Sequence, residues 1–167
     1  MKVFRKASKF FAVKKSEVKN VATNRRAFHD YFIDDRIEAG IELQGSEVKS
    51  LRAGQANLKD SYAKITNGEV FMIKCHITPY VYSGGFDNHE PERQRRLLLH
   101  RKEIKRLERS VETKGCTLIP TRIYFNEAGK VKVEIGVARG KRQYDKREAL
   151  TERDAKREMD RLRKGNF

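Results

Sequence analysis

The chain has no tryptophan and only two cysteines, Cys75 and Cys116, in 167 residues. They form no CxxC pair, stand at no metal-ligand spacing from a histidine, and fall in strand-like runs. They therefore read as small apolar core residues in a reducing compartment, against a disulfide framework or a zinc site. Long apolar runs are missing as well. In the basic opening MKVFRKASKFFAVKK the longest is Phe10 to Val13, too short for the core of a secretion signal. No stretch reaches the length of a bilayer span, so a soluble, cytoplasmic protein with no membrane partner is expected. Acids are scarce too. Against 38 Lys and Arg there are 23 Asp and Glu, a net charge of +15 with a pI near 10.0, which points to a polyanionic partner.

The position of that charge matters more than its total. Residues 1–26 carry nine basic residues against Glu17, whereas residues 27–91 carry six against ten acids. Residues 92–109 are again basic, with eight against three, and residues 139–167 carry eleven against six. Charge kept only for solubility would be spread evenly. Two basic ends and one basic internal segment around a near-neutral core read as several points of grip on one polyanion.

The stretch GIELQGSEVKSLRAGQANLKDSY, Gly40 to Tyr62, reads as strand, turn, short helix, turn and strand. Ile41 and Leu43 alternate with Glu42, Gly45 breaks the run, and Ser46 is a candidate N-cap for a helix through Arg52. A helix of two turns does not stand alone in water, so its Val48 and Leu51 side must plug something, as at the open end of a small barrel.

Around this centre, residues 1–22 read as a flexible basic arm and residues 23–139 as the folded domain. Phe28 to Ile33 is expected as a strand leading through an acidic bend to Gly40, and Leu58 to Ile65 as another. Asn67-Gly68 marks a hairpin. Val70 to Ile77 is expected as a strand with Phe71, Ile73, Cys75 and Ile77 on one face, ended by Pro79. Ser83 to Pro91 reads as a loop and Arg93 to Val111 as helix, with a break near Leu99 because His100 and Glu103 stand at capping-box spacing. Cys116 to Phe125 and Lys130 to Ala138 form a last strand pair, in which Val131, Val133, Ile135 and Val137 alternate with Lys132, Glu134 and Gly136. The fold class expected is mainly β: an OB-fold-like closed antiparallel barrel with short helices. Residues 140–167 form a basic tail whose thin stripe of Ala155, Met159 and Leu162 supports a helix only when a polyanionic wall is supplied.

Catalysis requires an acid/base pair or a metal cluster, and the four histidines sit in neither. No cofactor, no metal and no enzymatic activity is expected. Glu38, before Ala39-Gly40 and near Arg25 and Arg26, leaves two readings open: a solvated carboxylate, or an acceptor for the Watson–Crick edge of an unpaired guanine. Leu97 to Leu99 cannot all face inward, so at least one leucine is free to pack on a splayed base or another element.

The segments NRRAFHDYFI, GIELQGSEVKSLRAGQANLKDSY, HITPY, NHEPERQRRLLLHRKEI and VKVEIGVARGKRQYDKR follow in this order from Asn24 to Arg147, a span of about three quarters of the chain. Through them it closely resembles the SsrA-binding protein family, small protein B, the bacterial partner of transfer-messenger RNA.

The resemblance implies an OB-fold adaptor of trans-translation. Such an adaptor binds the tRNA-like domain of that RNA, supports its alanylation and carries it to stalled ribosomes. It implies RNA binding through Asn24, Arg25, Arg26, His29, Glu38, Leu98 and His100. It also implies a ribosome-acting tail in Lys141, Arg142, Tyr144, Asp145, Lys146 and Arg147, which reads the empty mRNA channel beside the small-subunit decoding region. Elongation factor Tu and alanyl-tRNA synthetase are implied as indirect partners, met through the RNA by a monomer. Tyr144 and His100 stand where some members carry His and Asn. Two other classes are weighed against this one: a generic single-strand-binding OB protein, which requires aromatic residues exposed on strands, and an RNA-cleaving enzyme, which requires the acid/base pair not found.

Overall fold

A computed structural model of the chain describes residues 18–81, 88–141 and 159. In chain order the elements are β1 (Lys19–Thr23), α1 (Arg25–Asp30), β2 (Tyr31–Ile41), α2 (Gly45–Arg52), β3 (Ala56–Asn57), β4 (Tyr62–Thr66), β5 (Glu69–Ile73), β6 (His76–Ile77), β7 (Arg95–Leu98), α3 (Arg101–Lys114), β8 (Thr117–Phe125) and β9 (Val131–Gly140). The main sheet is antiparallel, in the order β1-β8-β4-β5-β7-β2-β9, and β9 pairs again with β8. Six strands therefore hydrogen-bond in a ring, with β1 added outside it. β3 and β6 form a separate two-stranded sheet. No helix among the described residues is long and apolar enough to cross a membrane.

The core fills the ring. Val133, Ile135 and Val137 of β9 are buried as their alternation requires, facing Ile37 and Ala39 of β2 and Leu118 and Ile123 of β8. The Asn67-Gly68 turn joins β4 to β5 with φ of 52° and 73°, the left-handed pair that a two-residue hairpin needs. α2 spans the expected residues and buries Leu51, but its N-cap is Gln44 rather than Ser46, and its inward side carries Glu47 as well as Ser50.

Five expectations change. Residues 25–30 are helical, so of the strand expected over Phe28 to Ile33 only Tyr31 to Ile33 are extended. Asn24 holds this single turn and a half by accepting the Ala27 amide at 3.0 Å while donating to the carbonyls of Leu58 and Pro120 at 2.9 and 3.2 Å. The acidic bend is instead part of one long strand β2, whose bulge between Ile33 and Asp35 absorbs the irregularity. The strand expected from Leu58 begins at Tyr62, since Ser61 closes a turn onto the Leu58 carbonyl.

The run from Val70 to Ile77 breaks at Lys74, whose φ is 54°. Val70 and Met72 therefore face the core before the break and Cys75 and Ile77 after it, while Phe71 and Ile73 are only half-buried. Finally, Arg93 to Val111 breaks near Leu99 as expected, but only its second part is helical. Arg95 to Leu98 is a strand, and α3 starts after His100, whose amide donates to the Glu103 carboxylate at 2.8 Å.

The expected segment boundaries also meet the pairing. β1 begins at Lys19, inside the expected arm, and β9 runs to Gly140, inside the expected tail. Residues 82–87 of the expected loop, residues 1–17 of the arm and all but Lys141 and Met159 of the tail past Gly140 lie outside the described residues.

The architecture contains one feature with no sequence signal. Glu47 on α2 and Arg95 on β7 are both fully buried, joined at 2.8 Å, and Arg93 bonds the same carboxylate at 2.7 and 2.6 Å. Arg95 also donates to the carbonyls of Cys75, Pro91 and Arg93. Burial pushes the Glu47 carboxyl up, but the Arg93 hydrogen bonds, the Gln44 amide and Arg95 pull it further down, leaving it below its ordinary value. Against this cluster the buried thiol of Cys75 is pushed up to about 11, mainly by desolvation, and is inert at neutral pH.

Candidate nucleic-acid interface

Strands β2, β9 and β8 lie side by side, and their alternation sets one row of polar residues on the outer face. Register places Glu38 opposite Glu134, Arg122 opposite Glu134, and Tyr124 opposite Lys132. Two glutamates face to face would repel. Each is instead claimed by its own partners. Glu134 takes Arg122 at 2.9 Å, the Thr121 hydroxyl at 2.7 Å and Arg36 at 3.6 Å.

Glu38 accepts the Tyr124 hydroxyl on one oxygen and Lys132, at 3.1 Å, on the other. Those two bonds, the tyrosine's first, hold its carboxyl below the usual range despite partial burial. Desolvation and the same carboxylate push the Tyr124 phenol up to about 12. Glu38 is therefore an oriented, ionised acceptor, and half of its side chain still meets solvent at 51% exposure.

Beside it runs the β7–α3 corner. Gly40 pairs with Leu98, and a Cβ built on Gly40 would lie 3.2 Å from that of Leu98. The glycine lets the leucine lie close over β2 while 51% of Leu98 stays exposed. Leu97 is buried and Leu99 partly so, as the alternation of a strand requires. A groove forms here, lined by Arg36, Glu38, Leu98, His100, Arg106 and Lys132 among others. The structure thus brings together three residues singled out in the sequence, Glu38, Leu98 and His100, and rims them with cations.

The second group sits elsewhere. Arg25, Arg26 and His29 ride on α1, at the opposite end of β2 from Glu38, about 23 Å along the strand. Arg25 is exposed, Arg26 pairs with Asp30 and Asp60 at 3.2 and 3.1 Å, and His29 Nδ1 lies 2.9 Å from Asp30. Asn24, 4% exposed, faces inward and caps the helix. Arg36 links the two groups, since its guanidinium lies 5.3 Å above the Phe28 ring of α1 while it also lines the groove.

Lys141 is bound at α1: its amide donates to the Asp30 carbonyl at 2.9 Å, and its ammonium donates to the Phe28 carbonyl at 3.2 Å and lies 4.8 Å above the Phe32 ring. Arg142, Tyr144, Asp145, Lys146 and Arg147 lie outside the described residues.

Sequence reasoning missed Arg36, Arg106, Arg122, Tyr124 and Lys132. For Lys132 the signal was present, because the alternation that buries Val133 and Ile135 and packs Val131 against the core turns it outward. For Tyr124 and Arg122 it was not, because their placement depends on the bulge between Pro120 and Arg122.

Comparison with known proteins bears directly on this surface. A family sequence model described as SmpB protein matches residues 21–165. An SsrA-binding protein of Symbiobacterium thermophilum is 55% identical over 153 residues, covering 92% of this chain and 96% of its own. One of Moorella thermoacetica is 58% identical over 143 residues, covering 86% and 92%. A solved structure described as "tmRNA-SmpB: a journey to the center of the bacterial ribosome" matches with a TM-score of 0.62 and 49% identity, covering 77% of this chain and 93% of its own. The fold and the outward row on β2, β9 and β8 thus lie within the matched residues, and the chain belongs to the SmpB, or SsrA-binding protein, family, which binds RNA rather than catalysing a reaction.

Proposed function

We propose that this chain is the RNA-binding adaptor of trans-translation, and that the groove between β2 and the β7–α3 corner reads the tRNA-like domain of transfer-messenger RNA. The observation that carries this is Glu38. An exposed carboxylate held ionised and aimed by Tyr124 and Lys132 is a ready acceptor for the N–H groups on the edge of an unpaired base. Leu98 offers an apolar surface for the same splayed base to pack on, and Arg36, Arg106 and Lys132 neutralise the phosphates around it. Arg25, Arg26 and His29 extend the contact along α1, and Asn24 contributes by capping that helix. The ring of six paired strands supports reading the scaffold as an OB-type closed barrel.

In this reading the RNA-bound monomer supports alanylation, meets alanyl-tRNA synthetase and elongation factor Tu through the RNA, and works in the cytoplasm. Lys141, Arg142, Tyr144, Asp145, Lys146 and Arg147 act on the ribosome, where the tail reads the empty message channel. The test is a gel-shift titration of the tRNA-like domain and of an ordinary tRNA at two salt concentrations, with the full chain and with a chain ending at Lys141. That endpoint keeps β9 whole and leaves the contacts of Lys141 to α1 in place. Both proteins are expected to prefer the tRNA-like domain, with affinity falling as salt rises. Loss of the preference with the tail, or no preference in either, refutes the groove as reader and favours a generic RNA-binding protein.

A further inference from the structure

Most arginines of the described fold are spoken for. Arg26, Arg36, Arg93, Arg95, Arg96, Arg106, Arg122 and Arg139 each have a carboxylate within 3.6 Å. On α3 the pattern differs. Lys102, Lys105 and Arg109 are exposed and have no carboxylate partner among the described residues. They stand at i, i+3 and i+7, so they share one stripe of the helix, opposite the Ile104 and Leu107 side that packs on the core. Thr113 continues the stripe at i+11, and these residues line one shallow groove. The acids of the helix, Glu103, Glu108 and Glu112, fall to either side of it. Arg106, drawn to Asp35 at 2.7 Å, stands between this stripe and the groove of Glu38.

We propose that the Lys102–Lys105–Arg109 stripe is a second, separate RNA contact, which holds the phosphate backbone of a duplex while the Glu38 groove is occupied. Lys102 to Arg109 spans about 10 Å along the helix axis. One strand of a nucleic-acid helix presents about three phosphates over that length. The stripe carries no aromatic or aliphatic side chain, so it has nothing to stack on an unpaired base, which separates it from single-strand platforms. It meets a duplex by charge alone. The inference leans on the RNA-binding reading only for the choice of polyanion.

The experiment replaces Lys102→Gln, Lys105→Gln and Arg109→Gln together in the full chain. Anisotropy then follows binding to a labelled 16-base-pair RNA duplex of arbitrary sequence between 50 and 200 mM salt. Three lost phosphate contacts make the slope of log affinity against log salt shallower by about 2.7. The basic arm and tail are common to both proteins and cancel. The tRNA-like domain is expected to bind the variant within about twofold of the wild type, and its complex with the wild type is expected to take up the duplex still. A companion with Lys102→Arg and Lys105→Arg keeps the charge and should keep the slope.

An unchanged slope in the triple variant overturns the proposal, as does loss of slope in the arginine variant. An equal loss against the tRNA-like domain also overturns it, because the stripe would then belong to the first footprint. Failure of the adaptor reading itself registers separately, as an absent preference between the tRNA-like domain and ordinary tRNA.

Discussion

Glu47→Gln keeps the shape of a buried side chain and removes its charge. Its carboxylate holds the fully buried Arg95 at 2.8 Å and Arg93 at 2.7 and 2.6 Å, and it closes the α2 capping box by accepting the Gln44 amide at 2.6 Å. Removing one partner of a buried pair strands the other and costs about 3–5 kcal/mol. Arg95 keeps three carbonyl acceptors, from Cys75, Pro91 and Arg93, which places the loss at the lower end, about 3 kcal/mol. At about 3 °C per kcal/mol for a chain of this size, the melting temperature at neutral pH should fall by roughly 9 °C.

The pH dependence has a definite sign. A carboxyl depressed in the fold contributes stability above its ordinary value of 4.5, and that contribution is lost as pH falls through the lower folded value. The wild type should therefore lose its advantage over Glu47→Gln below pH 4.5, and the two melting curves should converge. Urea or thermal unfolding followed by circular dichroism at pH 7 and across the acid range reads both effects. A variant within about 1 kcal/mol of the wild type at pH 7, or a gap indifferent to acid, would show that the cluster is not a net stabiliser.

Tyr124→Phe removes the hydroxyl that aims Glu38 but leaves Lys132; at about 1.4 kcal/mol it should raise the Kd for the tRNA-like domain roughly tenfold, and unchanged affinity in a filter-binding titration would refute its role. Because Glu38 is depressed from 4.5, the loss of affinity in Glu38→Gln relative to the wild type should hold constant from pH 8 to pH 5 at constant salt, and a loss that fades within that range would refute its role as an ionised acceptor. Leu98→Asp alters a side chain already 51% exposed, so it should leave stability within about 0.5 kcal/mol while weakening capture steeply; parallel melting and binding curves check both halves. Gly136→Val crowds Ile33 and Thr121, whose Cγ2 atoms lie 3.0 and 3.1 Å from where a Cβ would stand, and should lower the urea midpoint by the equivalent of about 1–3 kcal/mol.

Where residue pattern and local chemistry agreed, the sequence was readable. The alternation of β9, the Asn67-Gly68 turn, the short helix after Gly45 and the outward turn of one leucine in Leu97 to Leu99 all follow from neighbours along the chain. The misread segments are those whose conformation is set by contacts far away in sequence. Six residues of α1 are too few to hold a helix by propensity, and the Asn24 amide reaches 34 and 96 residues onward to fix it. The part of RQRRLLLHRKEI before the break near Leu99 reads as helix by its residues, yet Arg95 turns into the core to meet Glu47 and that part is a strand. The sign of φ at Lys74 has no marker such as glycine to announce it. Of the candidate site, Glu38 and Leu98 were legible as an acid before Ala-Gly and a surplus leucine. The alternation of β9 turned Lys132 outward, but that it and Tyr124 meet Glu38 depends on the pairing of strands far apart in the chain.

β8 is paired with β9 along one whole side, from Thr117 to Phe125. Its other side is shared: β4 meets it at Leu118, Pro120 has no N–H to offer, and β1 takes Arg122 to Phe125. A chain stripped of residues 1–23 would bare that last stretch, with Ile123 and Phe125 in it, as a template on which another molecule's strand can add. β1 ends the sheet with a strand that discourages such addition, being only five residues long, shifted in register between Asn20 and Ala22, and carrying Lys19 at its exposed start. The five residues Lys19 to Thr23 therefore act as the selvedge that keeps the sheet from joining its neighbours in a crowded solution.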